Sequence, residues 1–185
     1  ATAMASFATT RPDTLGAKRP QLPQVPGWEA VATVTHGDAA PRFTQLCTFK
    51  DCVGGRVYSA SPEAWLGGWG RLTEPEALSP ACLAFLADAW PPALLACHRQ
   101  TTPVASLSLT LQFHAGAHGT GEQGSGAQGP AEQDPAEQGL PAGTPVLYEA
   151  RATATTDGYS EEHAHLWAPD GRLLVSVHQQ VVVFG

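Results

Sequence analysis

Hydrophobic and polar positions alternate most cleanly over residues 104–114. Leu107, Leu109, Leu111 and Phe113 fall on one face and Ser106, Ser108, Thr110 and Gln112 on the other, the period of a half-buried strand. Three more strands are predicted at 146–156, 158–167 and 172–184. The last two follow turns at Asp157-Gly158 and Asp170-Gly171, and Asp-Gly between alternating segments is a strong hairpin signal. Upstream, FTQLCTF (43–49) reads as a strand closed by the turn DCVGG. Residues 64–72 read as another, although their glycines weaken it. Between these groups, Ser79 followed by Pro80 predicts a helix N-cap with proline at the first helical position. The helix ACLAFLADAW is apolar on nearly every side, so it should be wrapped by other structure, and Pro91 and Pro92 end or kink it. Two strands, a buried helix and four strands predict an α+β fold.

Other segments carry no such pattern. Residues 3–8 (AMASFA) fit one short strand, the stretch after them is Pro-rich and aperiodic and reads as a linker, and 31–34 is too short to assign. Residues 116–143, with the tandem PAEQ unit, are dominated by Gly, Pro, Gln and Glu. They read as a disordered low-complexity insertion between two paired strands, which costs little because loop-closure entropy grows slowly with length. The organisation expected is 1–40 as an appendage and 41–185 as the domain.

Composition removes some function classes. The net charge is −7 with Lys and Arg scattered, which argues against a nucleic-acid partner. Apolar stretch 78–97 contains Asp88 and three prolines, so no membrane span is expected. Cys47, Cys52, Cys82 and Cys97 form no C-x-x-C pair. Without a leader pattern ahead of them they read as reduced, mostly buried thiols, consistent with a cytoplasmic setting.

LSPACLAFLADAWPPAL, PVASLSLTLQFHA and DGYSEEHAHLWAPDGRLLVSVHQQ, in that order, resemble segments of the acyl-CoA thioesterase II family and its thioesterase-like relatives. The resemblance covers roughly residues 60–180 and implies a hotdog fold, an antiparallel sheet wrapped around one central helix. Family members usually carry two such units. ASFATTRPD near the start looks like the last strand of a first unit followed by the inter-unit linker, so the chain resembles the C-terminal half of a double hotdog. The resemblance therefore implies pairing with itself or with a second hotdog unit.

Three residues become candidates. Asp88 is the only charge between Glu76 and His98. A carboxylate in a buried helix is expensive unless paired, so it either caps the broken helix, emerges at the surface, or is positioned to orient a water. Ser106 alone would be an edge hydroxyl satisfied by backbone; the resemblance gives it a site role, because the family places Thr or Ser there. Gln179, in a strand otherwise built from Leu and Val, needs partners for its amide. The family's glutamine matches Gln179 when counted from Gly171, and a one-residue slip would put Gln180 on that face instead. The resemblance implies acyl-CoA hydrolysis by a water held between Asp88, Ser106 and Gln179, with Asp88 as general base and no covalent serine intermediate. It implies no cofactor and no metal. No G-x-S-x-G elbow supports an α/β-hydrolase. The alternative is a non-catalytic hotdog half that binds acyl chains or serves as a structural dimerisation partner. Glu161, His163 and His165 share one strand face and could bind a metal, but read better as a solvent-facing polar stripe. Trp65, Trp69 and Trp90 read as core rather than as the wall of an acyl tunnel. Arg71, Arg99, Arg151 and Arg172 are too dispersed to mark a CoA phosphate site.

Overall fold

The computed structural model describes residues 2–7, 20–37, 40–114 and 140–184. Among these residues six strands form one antiparallel sheet: β1 (Cys47–Gly54), β2 (Trp65–Leu72), β3 (Val104–Phe113), β4 (Val146–Thr156), β5 (Tyr159–Trp167) and β6 (Leu173–Val183). Their order across the sheet is β1-β2-β4-β5-β6-β3, which leaves β1 and β3 as the edges. One helix, α1 (Pro80–Asp88), packs against the inner face. Its start is as predicted: the Ser79 hydroxyl accepts the Cys82 N–H at 3.1 Å and Pro80 fills the first turn. Leu83 and Leu86 are fully buried against Val146, Tyr148, Leu166 and Val175. Pro91 and Pro92 interrupt the helix, and a short 3-10 turn, Ala93–Ala96, continues beneath the sheet. Among the described residues no helix is long and apolar enough to cross a membrane.

Several local expectations change. The segment 43–49 is not all strand: Arg42–Leu46 is a 3-10 turn begun by Pro41, whose carbonyl accepts both the N–H and the hydroxyl of Thr44. The strand starts at Cys47 and runs through Asp51 and Cys52, which were expected in the turn. A bulge between Asp51 and Val53 absorbs the extra residue. Residues 3–7 form no strand and are exposed, because nothing in the described chain pairs with them; Ala8 and the following residues to 19 lie outside the described residues. The expected insertion falls mostly on 115–139, also outside them. Its last residues are ordered, with Leu140 against the core and Gly143 N–H donating to the Glu76 carbonyl at 3.1 Å.

The glycines of β2 have a packing reason. Gly67 and Gly68 have φ of 154° and 156°, and a Cβ on them would lie 2.1 Å from the carbonyl oxygens of Tyr148 and Lys50 respectively. The described part of the Pro-rich stretch, from residue 20 on, is docked against the sheet. Leu22, Val25, Trp28 and Val31 cover Trp69, Leu147 and Trp167 on the outer face. Trp69 Nε1 donates to the Pro26 carbonyl and Lys50 Nζ to the Trp28 carbonyl, each at 2.8 Å.

Candidate functional site

The inner face of the sheet, the C-terminal end of α1 and the 3-10 turns enclose a cleft of about 640 Å³, within the range of small-molecule sites. Phe43, Phe49, Trp90, Leu95 and Val104 give it apolar walls, and Asp88, Ser106 and Gln179 all line it. Residues from the helix, from β3 and from β6, separated by up to 91 positions in sequence, therefore line one cleft.

Gln179 is 6% exposed, on the inward phase of β6 with Val175, Val177 and Val181, and its Nε2 donates to Ser106 Oγ at 2.6 Å. Gln180 points the other way and is exposed. This bond depends on a bulge. Ser106 pairs with Val181 and Ser108 with Gln180, so Leu107 is the extra residue. Simple alternation puts Ser106 opposite to Leu109, but the bulge flips its phase. Ser106 then shares the inner face with Leu109, which pairs with Gln179, while Leu107 is turned out and 56% exposed. Asp88 is the last residue of α1 and its surface is exposed, so it is not the buried helical carboxylate that the apolar sequence around it suggests.

Sequence reasoning missed Glu162. It lies on the inner phase of β5 with Ser160, Ala164 and Leu166, is 1% exposed, and pairs across the ladder with Gln179. Its Oε2 accepts the Ala93 N–H at the start of the 3-10 turn after Pro91-Pro92, and its Oε1 accepts the Tyr148 hydroxyl at 3.3 Å. Burial pushes its pKa up to about 7, against the lowering effect of those two donors. Burial and the neighbouring Glu162 carboxylate also hold the Tyr148 phenol well above its usual value. Tyr148 stacks on Trp90 with ring planes 3° apart and centroids at 5.2 Å, so the carboxylate supports one wall of the cleft. The signal was present in the sequence as a charge on the apolar phase of an alternating strand.

Comparison with known proteins is decisive for the family. A family model described as the acyl-CoA thioesterase C-terminal domain matches residues 13–125 and 131–183. The chain belongs to this family. None of the curated proteins matches its sequence. Among solved structures, a hot-dog-fold protein of unknown function from Alicyclobacillus acidocaldarius superposes with a TM-score of 0.71 at 23% identity, over 95% of this chain and 59% of its own. The acyl-CoA thioesterase II TesB2 of Mycobacterium marinum gives 0.57 at 16% identity, over 91% and 57%. A tesB protein of Mycobacterium avium subs paratuberculosis gives 0.60 at 13%, over 92% and 57%. These likenesses establish the hotdog fold of the thioesterase domain. The chain spans less than three-fifths of the length of these three relatives.

On the outer face of the sheet, the polar stripe is arranged differently from the one-strand set Glu161, His163 and His165. His165 turns toward Trp167, with ring centroids 5.2 Å apart, and burial lowers its pKa. His178 of β6, directly opposite His163, takes its place beside Glu161.

Proposed function

We propose that this thioesterase domain hydrolyses acyl-CoA thioesters, with a water held by Asp88, Ser106 and Gln179. The observation that carries the reading is the Gln179–Ser106 hydrogen bond on the wall of a cleft that Asp88 also lines. Gln179 donates to Ser106, which leaves the serine hydrogen to orient a water, while Asp88 offers a carboxylate oxygen to accept that water's proton. The water oxygen then bonds to the thioester carbonyl carbon, the C–S bond breaks, and the departing thiolate recovers the proton from the Asp88 carboxyl. The apolar walls suit an acyl chain, and Asp88 is exposed where it lines the cleft.

One observation favours a second reading, a hotdog half that works only when paired. Ser106 and Asp88 are both exposed, and β3, which carries Ser106, is an open edge strand. Alignment of a second hotdog unit along that edge would close the site and cover Leu107. The test is thiol release from a panel of acyl-CoA substrates, with Asp88→Asn beside the parent and the oligomeric state measured on the same sample. Turnover that falls by a hundredfold or more in Asp88→Asn supports hydrolysis at this site. An unchanged rate in that variant refutes the assignment of Asp88, and a folded dimer with no turnover favours the binding or structural half.

A further inference from the structure

A second cluster of ligating side chains lies on the opposite side of the sheet from the cleft. Glu161 and His163 are two residues apart on β5 and so project from the same face; His178 is the direct cross-strand partner of His163 on β6. The two imidazoles converge on one carboxylate oxygen. His178 Nε2 lies 2.9 Å and His163 Nε2 3.6 Å from Glu161 Oε1, and the three ligating atoms all lie within 4.8 Å of one another. The imidazole rings meet edge to face with centroids 4.8 Å apart.

We propose that Glu161, His163 and His178 form a zinc-binding site that clamps β5 to β6 on the outer face. Zinc takes imidazole nitrogen and carboxylate oxygen at about 2.0–2.2 Å in a tetrahedral arrangement, which sets ligand atoms about 3.3 Å apart. The two distances from Glu161 fall on either side of that spacing. The ion would replace the proton that now joins His178 to Glu161, and a water would complete the tetrahedron from the solvent side. Two imidazoles with one carboxylate suit zinc and its transition-metal neighbours and disfavour magnesium and calcium, which want oxygen alone. The frame is rigid, since β5 and β6 each have a neighbour on both sides, so binding has only side-chain rotamers to fix.

The surroundings permit a cation. Thr110 of β3 pairs with His178, Gln180 pairs with Glu161, and Arg151 of β4 pairs with His163. Arg151 is the one cation in this ring of partners, and it is already committed: its guanidinium lies 4.0 Å over the Trp65 ring and contacts Glu149 and Glu63 at 3.4 and 3.5 Å. Because Gln179, on the inward phase of β6, lines the cleft, the zinc would sit across the sheet from the proposed chemistry and take no part in it.

The test is titration of chelator-stripped protein with Zn²⁺ by calorimetry, together with the thermal unfolding midpoint with and without the ion. One saturable Zn²⁺ per chain is expected, with a higher midpoint in Zn²⁺ than in Mg²⁺. His163→Ala and His178→Ala should each weaken binding at least tenfold, and both positions are exposed enough that the variants should fold. His165→Ala should bind as the parent does, and acyl-CoA turnover should be the same before and after chelation. Absence of saturable binding, or an affinity unchanged in His178→Ala, would overturn the site. Loss of binding in His165→Ala would do the same, because it would move the ion to the one-strand set.

Discussion

Glu162 lies directly across the β5–β6 ladder from Gln179, and both side chains are buried on the inner face of the sheet. One binds the turn that follows α1 through the Ala93 N–H, and the other binds the edge strand through Ser106. A single cross-strand pair therefore ties the two halves of the cleft to the same point of the sheet.

Glu162 should make stability depend on pH. Its pKa in the folded chain is about 7 against an ordinary 4.5, so the folded state holds the proton more tightly than the unfolded one. The sign follows: stability is highest below pH 4.5 as far as this group is concerned, falls between 4.5 and 7, and carries the full penalty, about 3 kcal/mol, above 7. Glu162→Gln retains an acceptor for Ala93 and removes the charge. It should gain on the parent in denaturant midpoint at pH 8 and match it at pH 4.5, measured in chelator; equal midpoints at both values would contradict the assignment.

Gln179 and Ser106 should behave as one unit. Gln179→Ala and Ser106→Ala should each lower kcat by tenfold or more. The double variant should lose little beyond the worse single one, because each substitution already breaks the shared bond. Gln180→Ala, on the outer phase, should keep the parent's kcat in the same thiol-release assay.

The bulge offers a sharper check. Deleting Leu107, the extra residue, removes the bulge and leaves Ser106 opposite Val181 on the inner face, with Ser108 and Leu109 still opposite Gln180 and Gln179. The cost in burial is small because Leu107 is largely exposed. Circular dichroism should show a folded protein, and turnover should stay at least tenfold above that of Ser106→Ala, because the serine keeps its inward phase. A folded deletion variant whose turnover drops to the Ser106→Ala level would contradict this register.

The β2 glycines should tolerate no side chain. Gly67→Ala and Gly68→Ala would each force a methyl group onto a neighbouring carbonyl and into a backbone region that L residues rarely adopt. Each should cost at least about 2 kcal/mol in chemical denaturation, a strain effect of the size expected for a special backbone position. Gly70→Ala, whose added methyl would meet only ordinary contacts at 3.4 Å or more from Trp90, is the milder control.

The sequence by itself determined the α+β order, the capped helix at Ser79, the hairpins at Asp157-Gly158 and Asp170-Gly171, and the identity of the family, because these are local or ordered signals carried by adjacent residues. Periodicity also told that Gln179 is an oddity in an apolar strand. It did not tell that Ser106 faces it, since a bulge at an apolar leucine leaves no mark in an alternating pattern. Nor did it show that Asp88 emerges into solvent, that Glu162 is buried beneath the turn after the helix, or that His178 stands in for His165 beside Glu161. Those are properties of strand order and register, which place residues from separate strands side by side. A sequence lists neighbours along the chain, and only the folded sheet decides which of them meet across it.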